Sequence, residues 1–163
     1  GLRKIPQYLA AVGLILRIEP ALPGMSIDAA VVRSPNHRLI VALTFHKRRE
    51  EEFWCALLHA IAHARLHVGR GEWDTVFHQN DAPAYEPWLE DADVFAREAL
   101  VPMSAWATCQ SKTKPTMGVI VGDAKRLRVS PAVLVGRLRA EPIAPALPRN
   151  TLPKRDVAKF RAV

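Results

Sequence analysis

Two histidines, His59 and His63, stand four residues apart in a stretch whose apolar residues recur at helical spacing. Metal binding is the chemistry that such a pair serves most directly. Residues four apart on an α-helix lie above one another on one face, so two neutral imidazoles can aim at a single ion. Cys55 and His67 continue the same row. A helix rises about 1.5 Å per residue, so the ends of an eight-residue interval lie about 12 Å apart, and no one ion can take all four groups. Spacing alone leaves three pairs open: Cys55 with His59, His59 with His63, and His63 with His67. The flanking Phe53, Trp54, Leu57, Leu58 and Ile61 imply partial burial. A buried neutral imidazole needs a partner, and a metal is one; a carbonyl oxygen is the plainer alternative.

A zinc ion in a site of this type takes a third protein ligand and keeps a fourth position for water. The candidates lie on a second helix, which opens Glu86-Pro-Trp-Leu-Glu-Asp-Ala-Asp and so offers Glu86, Glu90, Asp91 and Asp93. Acidic residues in a first turn also complement the helix dipole, which accounts for Glu86 and Asp91. Glu90 and Asp93 share a face, three residues apart, beside the apolar positions that dock the helix.

The rest of the chain must hold these two helices. Leu2, Ile5, Leu9 and Val12 predict a short helix over Leu2 to Leu14, with Pro6 in its first turn. Three aliphatic runs, beginning at Leu14, Ala29 and Leu39, predict a small, largely antiparallel sheet, the last two runs joined by the hairpin-sized gap Ser34 to His37. The histidine helix begins near Arg48 and ends at Gly69 or Gly71. A polar loop, Glu72 to Glu86, leads to Pro87, which opens the second helix, and Pro102 stops it. Leu89, Ala92, Phe95, Ala96 and Ala99 are its expected buried face. Two more helices follow, Met117 to Leu127 and one that Ser130 caps and Pro131 opens, running to Glu141. The expected organisation is one domain over 1–141, with a helix and sheet in 1–47 and helices in 48–141, then a Pro-rich basic tail over 142–163.

Composition narrows the function. The 163 residues are 49% hydrophobic, enough to bury one core. No apolar run approaches the roughly 20 residues that span a bilayer, and the opening residues lack the pattern of a signal peptide, so the expectation is a cytoplasmic protein without a membrane partner. Cys55 and Cys109 are far apart and are expected as free thiols. The net charge of +7 is spread along the chain in small groups, without the aromatic and basic platform that single strands stack upon.

These residues resemble a known family, the ImmA/IrrE metallopeptidases. Its apolar helix, Leu-x-His-Glu-x-x-His-x-x-x-His, reads here Leu57-Leu-His59-Ala60-Ile-Ala-His63-Ala-Arg-Leu-His67. Its second motif, an acidic residue, Ala, Phe-Ala and a closing Leu-x-Pro, reads Glu90-Asp-Ala-Asp-Val-Phe-Ala-Arg-Glu-Ala-Leu-Val-Pro102. Leu127 to Leu138 is similar to a segment of members fused to a helix-turn-helix repressor domain. The resemblance implies an α+β, zincin-like fold, in which a three-stranded, mainly antiparallel sheet packs on the metal-bearing helices. It implies Zn2+ held by His59, His63 and Glu90; the residues themselves leave Asp93 and His67 open as supporting groups or alternative ligands. It also implies a protein substrate such as a helix-turn-helix repressor or antitoxin, with DNA reached only indirectly or through a fused domain.

One departure bears on activity. The motif's general base, a Glu, is Ala60 here, and a methyl group accepts no proton; losing such a base costs about 10²- to 10⁴-fold in rate. The otherwise complete motif favours a Glu replaced by Ala in a metalloendopeptidase that is thereby inactive. The alternative is a non-catalytic, metal-binding regulatory module of a repressor or antitoxin. For an oxyanion-stabilising group the chain offers His67, Arg65 and Tyr85.

Overall fold

The computed structural model describes residues 4–20, 23–24, 27–45, 50–79, 87–141 and 147. Its class is α+β. Helix α1 (Ile5–Ala11) is shorter than the sequence suggests, because Gly13, at φ +82°, turns the chain out of the helix and Leu14 already opens a strand. Leu2 lies outside the described residues, and Pro6 sits in the first turn as expected.

Strands β1 (Leu14–Pro20), β2 (Ile27–Arg33) and β3 (Leu39–Phe45) match the three aliphatic runs. The sheet nonetheless differs from the expected three-stranded, mainly antiparallel one. It has a fourth strand, β4 (Thr75–Gln79), and the order β1-β3-β2-β4. β2 pairs antiparallel with both β3 and β4, whereas β1 lies parallel to β3. The parallel pair arises because the link after β1 enters the sheet one place further on, so the β2–β3 hairpin returns β3 to the side of β1. β4 falls in the stretch read as a polar loop; as an edge strand it buries Val76 while Thr75 and Phe77 stay exposed.

The sheet packs on α2 (Glu50–His63), the predicted histidine helix. Leu16, Ile18, Val31, Val41, Leu43 and Val76 meet Phe53, Leu57, Ala60 and Ala64 in one buried cluster. After His63 the helix widens into a π turn (Ala64–Val68), closed by the Gly69 N–H donating to the Ala64 carbonyl at 2.8 Å. Gly71, at φ +83°, then turns the chain toward β4.

Helix α3 (Pro87–Leu100) lies along α2 and buries Ala92, Ala96 and Leu100. Of its expected buried face, Leu89 and Phe95 are half-buried and Ala99 is exposed. Beyond it come α4 (Met103–Trp106), a 3₁₀ turn (Gln110–Lys112), α5 (Met117–Leu127) and α6 (Pro131–Arg139). The α5 bounds are those of the sequence reading, and the Ser130 hydroxyl accepts from the Ala132 N–H as an N-cap should. These helices build a second cluster from Val101, Trp106, Cys109, Ile120, Leu134 and Leu138. Buried Arg137 belongs to it, lying 4.8 Å from the Trp106 ring and donating to the Val101 carbonyl. Of the Pro-rich tail only Leu147 is described, half-buried against this cluster.

Helix α6 closes on α2 at Gly136, where a Cβ would meet Cys55 Sγ at 3.1 Å and the Glu51 carbonyl at 3.4 Å. A branched side chain has no room there, and overpacking a core costs about 1–3 kcal/mol. Gly136→Val should therefore lower the unfolding free energy by that amount, read as a lower urea midpoint with an unchanged slope; a midpoint equal to the parent's would contradict this packing.

Candidate metal centre

Three of the four groups in the histidine row are buried imidazoles: His59, His63 and His67 are 6%, 1% and 5% exposed. The structure separates the pairs that spacing leaves open. Cys55 points away, its thiol toward the Gly136 carbonyl at 3.6 Å, and burial pushes it up to about 11, so it stays protonated. His67 has both ring nitrogens engaged, Nδ1 with Glu72 at 3.4 Å and Nε2 with the Trp88 carbonyl at 3.3 Å. Trp73 and Trp88 wall it in, with ring centroids 5.0 and 6.4 Å away. His59 and His63 are left, and their Nε2 atoms face each other at 2.9 Å.

Asp93 meets this pair from α3, its Oδ1 lying 2.9 Å from His59 Nδ1. An ionised carboxylate only accepts, so His59 Nδ1 carries the proton and donates it, and His59 Nε2 is left as an acceptor. His63 Nε2–H then donates to His59, and His63 Nδ1 is buried without a partner. Burial first, then the neighbouring imidazoles of His59, His67 and His78, lowers His63 from 6.5 to about 3. Burial alone would raise the Asp93 carboxyl, but the hydrogen bond from His59 and the charges around it outweigh that and hold it below its ordinary value.

Glu90 is exposed and has no hydrogen bond or ion pair among the described residues. Its neighbour one turn on, Asp93, is the α3 carboxylate in contact with the histidines. Ala60 is 1% exposed and belongs to the layer between α2 and the sheet. Arg65 is exposed; Glu86 and Tyr85 lie outside the described residues. Helical spacing does not reveal His78, on β4, whose ring centroid is 4.4 Å from that of His59 and whose Nδ1 is buried without a partner. Burial, then the nearby His59, lowers its pKa. The available signal was the alternation in Thr75-Val-Phe-His-Gln79, which puts Val76 and His78 on one face of a strand.

Zinc bonded to two imidazoles at about 2.0–2.1 Å with tetrahedral angles sets their nitrogens about 3.3 Å apart. The 2.9 Å separation of the two Nε2 atoms is within a few tenths of this, reached by small ring movements. The donor chemistry suits zinc too: neutral imidazoles, one with its remote nitrogen fixed by a carboxylate. The pair thus fits the metal. As the side chains stand, no three of the described His, Cys, Asp and Glu groups gather around one point.

No protein-family model matches the chain, and no curated protein matches it.

The neutral, buried His63 has a consequence for acid stability. Its folded pKa lies below the 6.5 of the unfolded chain, so below that pH the unfolded state takes up a proton that the fold refuses. Metal-free protein should lose stability as pH falls from 6.5 toward 3, and His63→Asn should flatten that loss in urea titrations run at pH 7 and 5. An unaltered pH dependence in the variant would contradict the assignment.

Proposed function

We propose that this chain is a zinc-binding domain of the ImmA/IrrE metallopeptidase type, with a zincin-like arrangement of sheet and helices. In the form described, it engages a protein partner without cleaving it. The observation that carries the reading is the facing pair His59 and His63, with Asp93 fixing the far side of His59. His59 and His63 would hold the metal. Bound zinc supplies a Lewis acid that polarises a carbonyl and acidifies water.

The chain's own residues account for the rest. Asp93 selects the His59 tautomer that leaves Nε2 free to bind, and Trp88, 5.2 Å from the His63 ring, shields that side from solvent. Ala60, between the histidines, has no atom that can take a proton from an attacking water, so the hydrolytic step lacks its base. By resemblance, the partner is a helix-turn-helix repressor or antitoxin. An open groove beside His67, lined by Leu66, Arg70, Asp91, Val94 and Phe95, offers such a partner mixed apolar and charged contacts.

A second reading, a module whose fold serves binding alone, is favoured by the burial of Ala60: a Glu there must displace packed side chains or reach past them. Two measurements separate these from each other and from a metal-free histidine cluster. Elemental analysis and calorimetry should give one zinc per chain, abolished by His59→Ala and weakened about 10- to 100-fold by Asp93→Asn. Absence of stoichiometric zinc would remove the metal reading. Against labelled casein the chain should be inactive, and Ala60→Glu should raise hydrolysis by about 10²-fold or more if the peptidase machinery is otherwise complete. A folded, zinc-loaded Ala60→Glu protein that stays inactive would instead support the binding module.

A further inference from the structure

We propose that His78 is the third imidazole of the site. With His59 and His63 it forms a three-histidine set for a late first-row divalent cation such as zinc. The inference rests on the metal-binding reading above and deepens it, since it moves the third ligand from helix α3 to the sheet.

The alternatives are committed elsewhere or too far off. Asp93 binds His59 through Nδ1, across the ring from the Nε2 that faces His63, so its Oδ1 supports the ligand instead of joining it. Glu90 is exposed. His67 is engaged at both nitrogens, and Cys55 is turned toward α6. His78 alone among these neighbours has a buried nitrogen without a partner next to the pair, on a ring 4.4 Å from His59.

The backbone around it is also adapted. β2 and β4 shift register between Ile27 and Ala29, so β2 carries one extra residue, Asp28, beside the Ala29–His78 pairing. A bulge bends its strand and re-aims nearby side chains, and bulges gather next to functional sites. Here it lies at the end of β4 that carries His78 to α2. For a His78 nitrogen to reach the point shared by the two Nε2 atoms, its ring would have to turn. The final imidazole torsion is broad, so that turn is a soft movement. Three imidazoles with an open fourth position are a donor set that zinc, and with it cobalt, nickel and copper, accepts readily.

The test titrates the metal-free protein with cobalt(II), displaces it with zinc, and counts imidazoles around bound zinc by X-ray absorption. The parent should show a tetrahedral cobalt spectrum and three imidazoles. His78→Ala should lower zinc affinity by about 100-fold or more, beyond a typical outer-contact loss, and reduce the count to two, while Glu90→Ala leaves both unchanged. His78→Gln, which keeps a strand-compatible polar side chain, should behave as His78→Ala does, and circular dichroism of both confirms that the fold persists. If both His78 variants keep the parent's affinity and imidazole count while His59→Ala abolishes binding, the metal reading stands and the role of His78 falls. If Glu90→Ala weakens binding in its place, the third ligand is on α3. If the parent takes up neither cobalt nor zinc, both fall together.

Discussion

Helix α2 is buried on several sides at once, and the architecture follows from how its faces divide. Successive residues lie about 100° apart around a helix. The row Phe53, Leu57, Ala60 and Ala64 can therefore face the sheet while His59 and His63, each one residue before an alanine of that row, face α3 and β4. Small side chains at Ala60 and Ala64 let the sheet approach closely, and that approach brings the edge strand, with His78, against the histidine row. Gly136 on α6 does the same on another side, admitting Cys55 where any Cβ would crowd it.

Burial then decides the chemistry. His63, enclosed by Trp88 and the neighbouring imidazoles, stays neutral, which is the state that can bind a metal. Asp93 reaches in from α3 while staying partly solvated, so its charge costs little and still orients His59. The same close packing places Ala60 in the apolar layer, where a methyl group fits and a carboxylate would need a partner. On the proposed reading, metal binding and hydrolysis are separable: the first rests on the histidine pair of α2 with Asp93 behind it, the second on a base that the helix does not carry.

The sequence disclosed elements with strong periodicity and clear punctuation. Pro87 and Pro102 bracket α3, Ser130 and Pro131 open α6, and the apolar spacing of Met117 to Leu127 matches α5 to the residue. β4 was illegible because an edge strand buries one face over a few residues: Val76 is buried between an exposed Thr75 and an exposed Phe77, and the turn residues around it read as a loop. The direction of β1 was illegible too, since a parallel or an antiparallel neighbour of β3 needs the same aliphatic residues. In the site, the His59–His63 spacing was readable, but the fate of Cys55 and His67 depended on Gly136, Glu72 and the Trp88 carbonyl, all supplied by other elements. Glu90 and Asp93 share a helix face in any sequence reading. Only the position of α3 along α2 brings Asp93 against His59.

The central claim is that His59 and His63 share one metal ion, and anomalous diffraction at the zinc edge from zinc-equilibrated crystals tests it most directly. The account predicts one strong peak between the two imidazoles, about 2.0–2.1 Å from each Nε2, with Asp93 still bonded to His59 Nδ1. Zinc bound only at other residues, with the two Nε2 atoms still hydrogen-bonded to each other, would contradict it.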